Sequence, residues 1–294
     1  MNLWRKTWTL WHEHPRERVK LALGWLFHRQ STHRWLSYLH AHEALWRQVP
    51  RFPKLVTRIY RPYALRRLGC AQRVQHMIGH HDSLHRLGLF GLLERSVDQP
   101  LHLLQLPTKD DTPAELRLVS VHDGHREGEM HLQLYWDGQW LYSLSFLLRP
   151  QAQACEMVIT RLQGTREPQA RELIRAATKG FHGLRPSTLL VQAARQLAQS
   201  AGCSLVLLVS HQQRVALNPM RRWKLHSDVE TLWQELGAAP HPEGFFALGA
   251  AVEVPQDFSD VASNKRAEAR RKAELLRQTL SGVDLAVCQA RPPA

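Results

Sequence analysis

A chain of 294 residues, 44% of them hydrophobic, can bury one large or two modest cores, and wholesale disorder is excluded. The net charge of +13 is unevenly placed, with 17 basic and 6 acidic side chains in residues 1–100. That excess points to an anionic partner (nucleic acid, an acidic phospholipid surface or a phosphorylated ligand), the plain alternative being a solvated basic surface.

The N-terminus carries Arg5 and Lys6 without a following apolar stretch, so no signal peptide is expected. No window reaches the roughly 18 apolar residues of a membrane span. The expectation is a cytoplasmic protein, at most peripheral at the inner membrane. Residues 1–100 read as helical. Trp4, Trp8 and Trp11 follow helical spacing, as do Val19, Ala22, Leu23 and Leu26, and core packing is the simplest use of the tryptophans. Ser31 or Thr32 is a candidate cap for a helix bearing Trp35, Tyr38 and Leu39. Pro50, Pro53 and Pro62 punctuate the chain, and a further helix is predicted over 64–78.

From about residue 101 the period becomes alternating. Leu116, Leu118 and Val119 mark a strand that ends near His122, Asp123 and Gly124. Asp137-Gly138 then joins two alternating segments, 130–136 and 140–146, and both turn positions tolerate positive φ, so a tight hairpin is predicted. A third strand covers 155–162. Two helices follow, one with Ala170, Leu173, Ile174, Ala177 and Phe181 in its stripe, the other opening at Pro186 and ending at Gly202. Residues 205–209 read as a buried strand, 228–236 as a helix, 245–252 as a strand and 264–280 as a basic terminal helix. The fold class is α+β: a helical N-terminal region followed by a mixed, largely antiparallel sheet with helices. The expected division is 1–100, basic and helical, and 101–294, an α/β unit ending in the basic helix.

Cys70, Cys155, Cys203 and Cys288 are widely spaced, so neither a disulfide framework nor a zinc ribbon is expected, and no metal is called for. Cys155 and Cys203 read as small core residues. No Walker loop, His-Glu-x-x-His or Gly-x-Ser-x-Gly element is present to support a nucleotidase or hydrolase.

The segment 178–186, Thr-Lys-Gly-Phe-His-Gly-Leu-Arg-Pro, after Leu162-Gln163-Gly164, resembles the central signature of the VirK/YbjX family. Residues 73–80, 141–146, Val209-Ser210-His211, Asn218, 233–237, Lys265-Arg266 and Arg270-Arg271 agree with it in order, so the resemblance covers roughly residues 15–285. His81 departs from it, standing where the family pattern has Tyr. The resemblance implies a role in bacterial virulence and envelope adaptation, including surface-protein localisation and resistance to cationic peptides. It implies no particular reaction.

Antiparallel strands followed by a strand–helix–strand unit also resemble a Gcn5-related N-acyltransferase, in which a helix N-terminus binds the coenzyme A pyrophosphate. On that resemblance Lys179, Gly183 and Arg185 become the cofactor-binding candidates, before the helix at Pro186. The family's Gly-rich Arg/Gln-x-x-Gly-x-Gly/Ala loop is absent, and Pro186 removes one N–H donor. His182 and His211 are candidate general bases because imidazole titrates near neutrality, and Asn218 is a candidate substrate contact. The alternatives are a nucleic-acid or anionic-surface binder and an adaptor for envelope or surface-protein biogenesis. Against nucleic acid, the basic residues are not interleaved with a stacking platform.

Overall fold

The computed structural model describes residues 14–120, 126–152, 154–215 and 229–291. The tryptophan triplet of the N-terminus and Asn218 lie outside the described residues. The helical first part contains α1 (Pro15–Phe27), α2 (Arg29–Ala41), α3 (Glu43–Trp46), α4 (Lys54–Thr57), a 3-10 turn (Arg58–Tyr60), α5 (Cys70–Arg86) and α6 (Phe90–Asp98). The sheet follows with β1 (Leu101–Leu106), β2 (Ala114–Ser120), β3 (Met130–Trp136), β4 (Gln139–Pro150) and β5 (Cys155–Gly164). Then come α7 (Ala170–Gly180), α8 (Pro186–Ser200), β6 (Cys203–Leu208), α9 (Val229–Glu235), β7 (Ala239–Pro240), β8 (Phe246–Gly249) and α10 (Ser263–Ala290).

The eight strands form one sheet in the order β1-β2-β3-β4-β5-β6-β8-β7. Among the described residues only β5 and β6 pair in parallel, joined through α7 and α8; the other neighbours are antiparallel. The α+β class with a mixed, largely antiparallel sheet is therefore what this sequence adopts. Alternation explains β2 and β3: Ala114, Leu116 and Leu118 on one strand and Met130, Leu132 and Leu134 on the other are buried, with their neighbours half-buried. In β4, Phe146, Leu147 and Leu148 are all buried, so both faces are covered there. Helices α5 and α8 are packed against this strand, and α10 lies against α8 and β1. At the hairpin Asp137 and Gly138 take φ of 50° and 70°, the left-handed pair a two-residue turn needs.

Four expectations are corrected. The helix predicted over 64–78 begins only at Cys70 and runs on to Arg86. Residues 64–66 are held by distant partners instead: the Ala64 N–H donates to Arg126 O (2.7 Å), the Arg66 N–H donates to Gln213 O (2.8 Å), and Leu65 bridges Arg214. Helix α2 starts ahead of Ser31 and Thr32, and the Thr32 hydroxyl donates to His28 O (2.9 Å) one turn back rather than capping. The terminal helix extends ten residues past Leu280 because Val283 and Val287 continue its buried stripe. Gly282 sits inside it where Leu104 of β1 comes within 3.0 Å of a Cβ position.

The cysteines give the fourth correction. Cys155 and Cys203 are buried as expected, but their sulfurs are bonded to each other. Parallel register sets them side by side on β5 and β6, with Cα atoms 4.7 Å apart across 48 residues of sequence. Spacing in the chain cannot reveal such a pairing. Cys70 and Cys288 are unbonded.

Candidate functional site

The parallel pair creates an opening in the sheet. Pairing of β5 with β6 runs from Cys155 to Ile159 opposite Leu208, and the Val209 N–H still donates to Ile159 O (3.0 Å). Beyond that point β5 continues to Gly164, paired only with β4 among the described residues. The β4–β5 register slips between Ser145 and Phe146, leaving Thr160 as an extra residue on β5. Thr160 is buried, and its hydroxyl contacts Glu127 O and Ser145 O (3.1 Å for the latter). A strand edge left without a partner presents N–H and C=O groups to whatever enters the gap.

Charged side chains gather around this opening. Arg161 donates to Glu127 (2.5 Å). Glu129, two residues on, is completely buried and receives the Arg58 guanidinium and the Tyr63 hydroxyl. His81 Nε2 lies 3.8 Å from the other Glu129 oxygen, with Trp35 and Tyr38 stacked beside the imidazole. Burial pushes the Tyr63 hydroxyl pKa up, partly offset by Arg58, so it stays a donor to the carboxylate. Next door, His80 Nδ1 accepts the Leu148 N–H (3.0 Å), tying α5 to β4 beyond the end of β3.

This buried group was not read from the sequence. Arg58, one of the basic residues of the first hundred, is 2% exposed and matched by a carboxylate 71 residues away. The remaining signal was His81, the departure from the family pattern. Gly128 explains how Glu127 and Glu129 reach their positions. With φ of +158°, its α-carbon passes so close to β4 that a Cβ would lie 2.7 Å from Phe146 O. Gly128→Ala is therefore expected to destabilise by about 1–3 kcal/mol, read as a shift of the urea midpoint at constant slope.

Of the sequence-predicted residues, Lys179, His182, Gly183 and Arg185 lie where α7 passes into α8, and His211 follows β6. His182 and Gly183 follow α7 with φ of 52° and 79°, and the Gly183 N–H donates to Thr178 O (2.8 Å). His182 is half-buried; burial, then Arg271 and Lys109, hold its pKa below the ordinary value of 6.5, against Glu268 and Asp110. Lys179 is exposed on the last turn of α7. Arg185 is the residue before α8 and pairs with Glu235 of α9 (2.6 Å), remaining 63% exposed. The His211 N–H donates to Glu230 of the same helix (2.6 Å). Helix α9 thus joins Arg185 and His211 through two of its own carboxylates. His182 faces α10 and the 109–110 turn instead, so the two histidines have different charged neighbours.

A groove of about 620 Å³ lies where β5 leads into α7, with Trp140 and Leu173 in its wall beside Glu167 and Glu172. Two carboxylates suit a cation there better than a phosphate. Among the described residues no group of three or more His, Cys, Asp or Glu could hold a metal ion, and no helix is long and apolar enough to cross a membrane.

Comparison with known proteins gives three likenesses. The chain is 27% identical over 271 residues to "Uncharacterized protein YbjX" of Escherichia coli (strain K12), covering 90% of this chain and 82% of that one. It is 31% identical over 123 residues to an "Uncharacterized protein" of Haemophilus influenzae, covering 42% of this chain and 41% of the relative. Among solved structures, a cAMP-binding acyltransferase from Mycobacterium smegmatis, a point mutant, aligns at a TM-score of 0.30 and 11% identity over 73% of this chain and 63% of its own. That last likeness is too loose to argue from. The family described as "Protein of unknown function (DUF535)" matches residues 11–284, and with the YbjX likeness over nearly the same span the chain belongs to that family, the VirK/YbjX family.

Proposed function

We propose that this protein is an acyltransferase that moves an acyl group from a coenzyme A thioester to an amine, serving the bacterial envelope or its surface proteins from the cytoplasmic side. The opening between β5 and β6 carries the reading. An extended ligand rich in amide groups can pair with the edge of residues 160–164, which has no partner on that side among the described residues, and α9 links Arg185, ahead of α8, to His211, just past β6. Lys179, Gly183 and Arg185 would take the phosphates, with phosphate replacing Glu235 on Arg185.

In the reaction the amine nitrogen attacks the thioester carbonyl, a base accepts the amine proton, the C–S bond breaks and the thiolate leaves. His182 suits the base, because its lowered pKa keeps the imidazole neutral at pH 7. The rate should therefore rise with pH and reach half its plateau below 6.5. His211 is the alternative base, and Asn218 a substrate contact.

Calorimetric titration of acyl-CoA tests this. Arg185→Ala should weaken binding by about 1.5–3 kcal/mol. His182→Ala should bind normally but turn over about 10²–10⁴ times more slowly. Wild-type protein that binds no acyl-CoA at millimolar ligand would end the reading.

One observation favours a second reading, a non-enzymatic contact with an anionic surface. Val19, Leu23, Leu26 and Phe27 share one face of α1 and are 58%, 53%, 73% and 72% exposed, with exposed Arg16, Lys20 and Arg29 nearby. Exposed apolar residues edged by cations suit the headgroup region of a membrane. Leu26→Glu with Phe27→Glu should then abolish sedimentation with anionic phospholipid vesicles, and retained sedimentation would refute it.

A further inference from the structure

We infer that Arg214, with Arg161 beside it, forms a binding site for an oxyanion, the carboxylate or phosphate group of a small ligand, where β5 and β6 part. Arg214 is 4% exposed, and one of its terminal nitrogens is fully buried with no hydrogen-bond partner. Its guanidinium makes no ion pair among the described residues. Other buried or half-buried arginines have partners: Arg58 has Glu129, Arg149 has Glu156 (2.6 Å) and Glu243 (2.5 Å), and Arg161 has Glu127 (2.5 Å), while Arg73 and Arg195 donate to the carbonyls of Ile59 (3.1 Å) and Gly249 (2.9 Å).

The backbone holds Arg214 in place. The turn after β6 is closed by the Gln213 N–H donating to Ser210 O (3.1 Å), and Leu65 bridges Arg214 itself. A buried guanidinium without a counter-charge is costly, and a like charge nearby adds to the cost. Both apply here, since burial first and Arg161 second act against the charge on Arg214. An oxyanion accepting from the planar fork of donors would remove both penalties. The site shares no residue with the Lys179, Gly183 and Arg185 contact proposed for coenzyme A, although Arg161 belongs to the 160–164 edge given to the ligand there, and the variants below separate the two.

The experiment is thermal unfolding of the full chain in sodium phosphate, in sodium acetate, and in sodium chloride of matched ionic strength. About 20 mM phosphate or acetate should raise the wild-type midpoint by about 2 °C over chloride, and which anion does so identifies the ligand group. Arg214→Met should lose this response while melting in chloride no lower than wild type, because it removes an uncompensated charge. Arg270→Ala, an exposed cation of α10 outside both sites, should respond as wild type does. A phosphate response that Arg185→Ala loses and Arg214→Met keeps would belong to the coenzyme A contact and overturn this assignment. If Arg214→Met does not fold, Arg214→Lys, which keeps the charge without the fork, should show a reduced response. Full response in either Arg214 variant, or none in wild type, overturns the assignment.

Discussion

Glu129→Gln is expected to destabilise the protein by about 3–5 kcal/mol, the largest effect of any single polar substitution considered for this fold. The carboxylate is wholly buried and receives both Arg58 and Tyr63, so an amide would leave the Arg58 guanidinium buried beside a neutral group. The loss falls between the helical first part, which supplies Arg58, Tyr63 and His81, and the sheet, whose β3 begins one residue after Glu129. Chemical unfolding should show the drop as a lower midpoint with an unchanged slope. Glu127→Gln is the control, because Glu127 and Arg161 are 18% and 22% exposed and water can replace the lost partner. It should cost about 1 kcal/mol or less. Equal effects for the two substitutions would mean that the Arg58–Glu129 pair does not tie the halves together.

Leu276→Asp should cost about 2–4 kcal/mol, since it puts a carboxylate where α10 is packed. Leu276 is 9% exposed, in the same buried stripe as Ala273, Leu280 and Val283, and α10 lies against α8 and β1. Arg270→Ala, on the exposed face of that helix, should cost about 0.5 kcal/mol or less. Thermal or urea unfolding of both variants separates a docked helix from a merely solvated basic one. Similar small losses would show that α10 is not docked.

The elements legible in the sequence are those governed by neighbouring residues. Asp137-Gly138 between alternating segments gave the hairpin, Pro186 and Gly202 bracketed α8, and a continuous apolar run marked β6. The apolar stripe of α10 was equally visible, although 264–280 stops ten residues short of the helix end that Val283 and Val287 carry on to. Residues 64–69 read as helix because their composition permits one, and only Arg126, Gln213 and Arg214 draw them elsewhere.

The site divides along the same line. Sequence by itself determined the helix-start segment 178–186, the basic character of the first hundred residues and the family signature, because each is a property of consecutive residues. Tertiary structure alone decided the Cys155–Cys203 bond, the burial of Arg58 against Glu129, and the gap where β6 leaves β5 with Arg214 beside it. Each of these pairs groups tens of residues apart. Whether an arginine is a surface charge or a buried one depends on the carboxylate opposite it, and no local pattern encodes that partner.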